Sequence, residues 1–302
     1  MIGQMPTHEV TEHPVVRSSP PMEPDTETVR RNVARALRED LGPGDINAEL
    51  IAPATRAVAR IVTRDPGVLC GQPWVAEACR QVDPSLQLGW HASDGQRLAA
   101  GDLLAELAGS ARSLLSVERT VINFLQLLSG TATRTRAFVD AVAATRAVIL
   151  DTRKTLPGLR VAQKYAVRVG GARNHRMGLF DAFLLKENHI TAARSIAAAV
   201  ATARRHHPDK MLQVEVEDVA QLKESIAAAV DRVLLDNFDV ARLREAVAVA
   251  NGRVELEASG GITMATVAEI AATGVDFISV GELTKNVQPL DLSMRIVAVE
   301  HD

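Results

Sequence analysis

Residues 212–261 read LQVEVEDVAQLKESIAAAVDRVLLDNFDVARLREAVAVANGRVELEASGG. Three short apolar runs, at 212–216, 232–235 and 254–256, are separated by helical patterns over 219–229 and 240–250. Short Val- and Leu-rich runs alternating with amphipathic helices predict parallel strands joined by right-handed crossovers. Outward from this stretch the same alternation continues, with runs at 148–151, 182–185 and 277–280 and a helical pattern at 196–203. Polar residues follow every run. Asp151 precedes Arg153 and Lys154, Lys186 follows Leu185, and Glu215 and Glu217 close the run at 212–216. Asp236-Asn237, Ser259-Gly260-Gly261 and Gly281 follow the remaining three. A doubly wound sheet uses the strand ends at one switch point, whereas a barrel turns all of them to a single mouth. The second pattern fits, and six strands rather than eight predict an open, incomplete α/β barrel.

Upstream the pattern differs. Residues 25–41 place Val29, Val33, Ala36 and Leu37 at helical spacing, and 41–45 read as a loop. Residues 58–62 read as a strand, with turns at Pro66-Gly67 and Asp94-Gly95. This is a small α+β unit. Its Gly-Asp hairpins faintly resemble a lipoyl-type carrier, but residues 55–110 contain no lysine to carry the group. Residues 113–128 predict an amphipathic helix with Val117, Val121, Phe124, Leu125 and Leu128 on one face and Arg119 nearly opposite. Ser129-Gly130 is expected to end it, before a connecting helix at 131–144.

Composition narrows the function. Aromatic residues are 3% of the 302-residue chain, which argues against a protein that stacks bases on rings. A net charge of -3 argues against general polyanion or nucleic-acid binding, so any anion site must be local. Cys70 and Cys79 fit no metal, redox or disulfide motif and suggest a reducing, cytoplasmic setting. Residues 1–24 are Pro-rich without an apolar core, predicting a disordered tail rather than a secretory signal. No apolar run is long enough to span a membrane.

The charge is concentrated over 146–190, where nine Lys and Arg face only Asp151, Asp181 and Glu187. Arg160, Lys164 and Arg168 read as the solvated face of a helix. Arg153-Lys154, His175-Arg176 in a Gly-rich loop, and Lys186 follow buried strands, so they point into the mouth and predict an anion site. Glu215 and Asp236 either pair with these cations or hold Mg²⁺, which bridges carboxylates to substrate phosphates. Ser259-Gly260-Gly261 and Gly281 stand where late barrel loops bind phosphate. There is no nucleophile elbow, dinucleotide fingerprint or Walker loop.

The runs Asp151-Thr152-Arg153-Lys154-Thr155-Leu156-Pro157-Gly158-Leu159-Arg160, His175-Arg176-Met177-Gly178-Leu179 and Lys186-Glu187-Asn188-His189 carry a resemblance. On them the chain, from about residue 25 onward, resembles the quinolinate phosphoribosyltransferase family. Ser116-Val117-Glu118-Arg119-Thr120, Glu215-Val216-Glu217, Leu235-Asp236-Asn237 and Glu257-Ala258-Ser259-Gly260-Gly261-Ile262 extend it. It implies a type II phosphoribosyltransferase-like fold. An N-terminal α/β sandwich would span 25–130 and an open α/β barrel 131–285, with 286–302 packing back on the sandwich. It also implies a homodimer with shared sites and a step of de novo NAD biosynthesis. In that step phosphoribosyl pyrophosphate and quinolinate give nicotinate mononucleotide, pyrophosphate and CO₂. By the same resemblance Arg153, Arg176, Lys186 and the partner's Arg119 hold the two carboxylates with help from His175. Lys154 meets the pyrophosphate, and Glu215 and Asp236 position Mg²⁺ and the ribose. Ser259, Gly260, Gly261 and Gly281 receive the 5′-phosphate. The catalytic set is Lys154, Lys186, Glu215 and Asp236. Thr284-Lys285-Asn286 departs from the family's Thr-His-Ser, so no catalytic role is assigned there. Rival readings are a paralogue using another base, a Schiff-base lyase through Lys154 or Lys186, and a non-catalytic anion-binding protein.

Overall fold

A computed structural model describes residues 24–300. The tail expected over 1–24 lies, except for Pro24, outside them. The first half runs α1 (Thr26–Leu41), β1 (Arg56–Thr63), β2 (Gly67–Val68), α2 (Gln72–Val82), β3 (Gln87–Trp90), β4 (Arg97–Leu98), β5 (Leu103–Ser110) and α3 (Ala111–Ala141). The second runs β6 (Val148–Leu150), α4 (Arg160–Val169), β7 (Phe183–Leu185), α5 (Glu187–Ala193), α6 (Ile196–His206), β8 (Leu212–Val216), α7 (Val219–Ala227) and β9 (Arg232–Asp236). It finishes with α8 (Val240–Ala250), β10 (Glu255–Ser259), α9 (Val267–Ala271), β11 (Phe277–Ser279), α10 (Glu282–Lys285) and β12 (Leu292–Glu300). Side chains cap several of the helices at their N-termini. Asp25 accepts the Thr28 N–H, and Ser195, Asp218 and Asp239 do the same for α6, α7 and α8.

Two sheets organise the protein. An antiparallel sheet has the order β12-β1-β5-β3, so the last strand pairs with the first long one. The parallel sheet has the order β6-β11-β10-β9-β8-β7. Strands β7 to β11 follow chain order and β6 lies beside β11, which is the cyclic order of a barrel left open between β6 and β7. The expected open α/β barrel is therefore the observed fold, with α-helices in the crossovers.

Alternation along the parallel strands gives the barrel two unlike faces. Leu212, Val214, Val216, Val233, Leu235, Leu256, Ala258, Ile278 and Val280 enter one apolar core. The intervening positions carry Gln213, Glu215, Asp236, Glu257, Ser259 and Ser279. Register sets Glu257 and Glu215 both opposite Leu234, and Ser259 opposite Asp236. The barrel interior is thus polar, and its strand ends are supplied from a polar face.

The expected helix break at Ser129-Gly130 is absent. α3 continues through it as one 31-residue helix, about 46 Å long at 1.5 Å per residue. Its N-terminal part enters the core of the antiparallel unit, whereas Phe138 near its end enters the barrel core. The boundary drawn at 130/131 falls inside this helix. Ser129 and Gly130 serve packing instead of capping. The Ser129 hydroxyl accepts the Cys70 N–H at 3.0 Å and lies 3.1 Å from the Cys70 carbonyl. A Cβ on Gly130 would lie 2.1 Å from the Gln288 carbonyl oxygen, so the segment leading to β12 rests directly on the helix backbone. The Leu290 N–H donates to the Gln126 carbonyl at 3.0 Å beside it. Among the described residues no helix is long and apolar enough to cross a membrane.

Gly130→Ala would drive a methyl group into that carbonyl. The expected loss is about 1–3 kcal/mol, the usual cost of overpacking, read from a lowered denaturation midpoint. A variant as stable as the parent would show that this close approach is not needed.

Candidate active site

All six parallel strands deliver residues to one cleft of about 520 Å³. After β6 come Thr152, Arg153 and Lys154, and before β7 come His175 and Arg176. β7 adds Leu184 and Lys186, β8 adds Glu215, and β9 adds Leu234, Asp236 and Asn237. β10 adds Glu257, Ser259, Gly260 and Gly261, and β11 adds Ser279. Two expected site residues are not among these. Gly281 sits just behind the cleft, where a Cβ would come 3.2 Å from Lys154 Cδ. Arg119 is exposed on α3 and does not line the cleft of its own chain.

One ion pair fixes the cationic side. Lys164 on α4 and Asp151 past β6 are fully buried, with Nζ 2.5 Å from Oδ1. Lys164 was expected on a solvated helix face and is not there. α4 is enclosed on nearly every side, with Ala162, Gln163, Tyr165, Ala166 and Val167 buried as well. Burial pushes the Asp151 carboxyl up to about 6 and the Lys164 ammonium down, each against the pull of the other. Asp151 also accepts the His175 N–H at 2.8 Å and the Asn174 Nδ2 at 2.6 Å, while Lys164 donates to the His175 carbonyl at 2.8 Å. The backbone of His175 is therefore clamped at both its N–H and its C=O.

Arg160, also expected in solvent, is half-buried and ties the two cationic loops together. Its guanidinium reaches Thr155 Oγ1 at 3.1 Å, the Met177 carbonyl at 3.2 Å and the Arg153 carbonyl at 3.3 Å. Thr284, in the segment that departs from the family pattern, is buried and donates to the Lys154 carbonyl at 2.9 Å. Gln163 spans Leu156 N–H and the Thr284 carbonyl. These supports bear on Arg153 and Lys154 from behind.

The charges are uneven within the cleft. Burial, and then Arg153, hold the Arg176 guanidinium below its ordinary pKa. Arg176 donates Nη1 to the Ala182 carbonyl at 3.2 Å, yet its buried Nε has no hydrogen-bond partner. The Arg176 side chain lines the cleft, where guanidinium donors suit an anionic ligand. On the far wall Lys186 Nζ lies 2.5 Å from Glu215 Oε2. Burial and Glu215 push the Asp236 carboxyl up, opposed by Lys186 and Lys154. Two carboxylates that repel each other suit a divalent cation that also takes ligands from substrate and water. Among the described residues there is no cluster of three or more His, Cys, Asp and Glu that would form an all-protein cage. Beyond them, Gly260 adopts φ +94°, where a Cβ would come 2.1 Å from Asn237 Oδ1. The β9 and β10 ends are thereby packed backbone to side chain, and only glycine fits.

Sequence reasoning left out Glu257 and Ser279, which line the cleft, and Gln213, which is buried against Glu257. Their signal was available, since they share strand parity with Glu215 and Asp236. Glu257 is fully buried, and accepts from Gln213 Nε2 at 2.8 Å, from Arg232 Nη1 at 3.4 Å and from the Ser279 hydroxyl.

An open α/β barrel whose mouth sets an exposed and a half-buried arginine opposite paired carboxylates defines an anion-handling, phosphate-site class of protein. The N-terminal domain profile of quinolinate phosphoribosyl transferase matches residues 45–129, and the C-terminal domain profile matches 131–295. The chain belongs to the quinolinate phosphoribosyl transferase family. It is 41% identical over 259 residues to a probable nicotinate-nucleotide pyrophosphorylase [carboxylating] of Bacillus subtilis, covering 85% of this chain and 90% of that one. It is 42% identical over 276 residues to the nicotinate-nucleotide pyrophosphorylase [carboxylating] of Mycobacterium leprae, covering 89% and 97%. The solved nicotinate-nucleotide pyrophosphorylase of Francisella tularensis superposes with TM-score 0.88 at 44% identity, covering 93% of this chain and all of that one.

Lys164→Met leaves the Asp151 carboxylate buried without its counter-charge. The expected loss is about 3–5 kcal/mol, as for breaking a buried pair from one side. Urea unfolding checks it, and a loss under about 1 kcal/mol, the range of an exposed pair, would contradict the burial described.

Proposed function

We propose that the protein transfers the phosphoribosyl group of phosphoribosyl pyrophosphate to quinolinate and releases CO₂, giving nicotinate mononucleotide for NAD biosynthesis. The observation that carries this reading is the half-buried Arg176 guanidinium beside Arg153, both lining the cleft. A planar dicarboxylate would satisfy both, since guanidinium forks match carboxylates. Lys186 would complete the carboxylate site and Lys154 would meet the pyrophosphate. Glu215 and Asp236 would hold Mg²⁺, which when bound neutralises the leaving pyrophosphate, and would orient the ribose hydroxyls. Ser259, Gly260, Gly261 and Gly281 would receive the 5′-phosphate at the ends of β10 and β11.

The quinolinate nitrogen attacks the anomeric carbon as the bond to pyrophosphate breaks. The chain's part is to align the two and to stabilise charge. The ring carbon that loses CO₂ keeps the electron pair next to a cationic nitrogen and then takes a proton. Arg153, Arg176 and Lys186 hold the carboxylates so that this bond is the one that breaks. Lys186 is disfavoured as a Schiff-base lysine, because it is ion-paired with Glu215 and does not sit in an apolar pocket.

The acting unit in this reading is a homodimer. Arg119 is exposed, and Leu115 one turn before it is exposed too, with Ile46 and Leu50 exposed nearby in sequence to Asp45, which accepts the Ser116 hydroxyl. Leu179 and Phe180, following Arg176, are each 75% exposed. A second copy covering these apolar residues would bring the partner's Arg119 toward the cleft. Its setting would be the cytoplasm, where the free thiols of Cys70 and Cys79 suit a reducing compartment.

Incubation with quinolinate, phosphoribosyl pyrophosphate and Mg²⁺, followed by NMR, tests the reading. The parent should form nicotinate mononucleotide, and Arg176→Ala should lose at least ~100-fold in kcat/KM for quinolinate, on the scale of deleting a buried charge partner. Undiminished turnover in that variant would remove Arg176 from the carboxylate site. Mixing Arg119→Ala with Arg176→Ala should restore about a quarter of parental activity if subunits exchange and share sites across a two-fold. No recovery, with exchange demonstrated, would contradict the shared site.

A further inference from the structure

His175 has both ring nitrogens engaged inside the protein. The Arg176 N–H points at Nδ1 at 2.7 Å. A donor there requires a bare Nδ1 lone pair. Nε2 faces only acceptors, with Gln213 Oε1 at 3.0 Å and Glu257 Oε1 at 3.6 Å. Nε2 must therefore carry the hydrogen.

The reason lies one step further down. Glu257 is a buried carboxylate that can only accept, and it takes the Gln213 Nε2 at 2.8 Å while Arg232 and the Ser279 hydroxyl supply its other donors. That contact dictates which way the Gln213 amide is turned, so Oε1 must face His175. The amide orientation then dictates the imidazole tautomer, and the tautomer leaves Nδ1 free to accept the Arg176 backbone. Each link has one donor and one acceptor, and reversing any of them sets two donors or two acceptors against each other in a buried place.

We infer that Glu257 and Gln213 are positioning residues that act through His175 to set the Arg176 backbone, and with it the carboxylate site of the proposed reaction. His175 then belongs to the support of that site. Its ring nitrogens are committed before substrate arrives. Burial holds its imidazole below the ordinary value, in keeping with a neutral ring. The Asp151–Lys164 clamp fixes the backbone of His175, while the Glu257 chain fixes its ring, so two independent anchors converge on one residue.

The inference rests on the proposed reaction for its kinetic consequence but not for its structural one. Imidazole ¹⁵N shifts of labelled protein, measured without substrates, should show His175 protonated at Nε2 and bare at Nδ1. Protonation at Nδ1 in the parent would overturn the inference whatever the enzyme's activity. In Glu257→Gln the carboxylate that orients Gln213 is gone, and the His175 signal should move toward a mixture of tautomers. The same variant should raise KM for quinolinate at least ~10-fold, as for a misplaced binding group, and leave KM for phosphoribosyl pyrophosphate within ~2-fold. Equal loss for both substrates, or an unchanged tautomer and quinolinate KM, would overturn it. Gln213→Leu provides a second variant should Glu257→Gln fail to fold, and it should give the same split between the two KM values.

Discussion

The site depends on holding like charges together. Arg153, Lys154, Arg176 and Lys186 come to one mouth, and nothing in their own chemistry keeps them there. The buried contact between Lys164 and Asp151 supplies the anchor. An ion pair at the surface would add little, but at full burial its directional hydrogen bonds determine where the neighbouring backbone must lie. Asp151 follows β6 and Lys164 lies within α4, so the pair also locks the first crossover of the barrel to its strand. Arg160 and Thr284 add the remaining ties, from the helix side and from the last turn before β12.

This arrangement needs the two halves of the protein to be joined firmly, and α3 does so. One helix contributes to the core beneath the antiparallel sheet and to the core around the barrel. Its small residues at 129 and 130 let the segment before β12 lie against its backbone, and β12 then pairs with β1. α4, which carries Lys164, also shares the first core through Ala162, Tyr165, Ala166 and Val169. Tyr165 donates to Asp94 at 2.8 Å, so the helix bearing the anchor is tied to the antiparallel unit as well.

Much of the fold was legible because parallel strands and crossover helices differ in period and in length. The strand ends were legible because reactive residue types recur after each apolar run. Lys164 was misplaced for a physical reason. Periodicity assigns a helix one buried face, whereas α4 is packed on both sides and its lysine finds a buried partner outside its own element. The helix break at Ser129-Gly130 was misread because small residues end helices and also permit close packing, and local sequence does not separate the two. Gln213 was missed because the run at 212–216 reads as mainly apolar, and Glu257 because the run at 254–256 stops short of it whereas β10 extends to Ser259. Read at period two, those strands place Gln213 and Glu215, and then Glu257 and Ser259, on the interior face.

The central claim is that the cationic wall is built for two carboxylates. Nicotinate and ring-¹³C-labelled quinolinate at equal concentration, in one tube with phosphoribosyl pyrophosphate and Mg²⁺, test it directly by NMR. A site with cations for two carboxylates leaves charge unpaired against nicotinate, which is costly when buried. The account predicts nicotinate mononucleotide carrying the quinolinate label, with labelled over unlabelled product by at least ~100-fold. Comparable incorporation of unlabelled nicotinate would contradict it, and would mean that the second carboxylate is not what the arginines recognise.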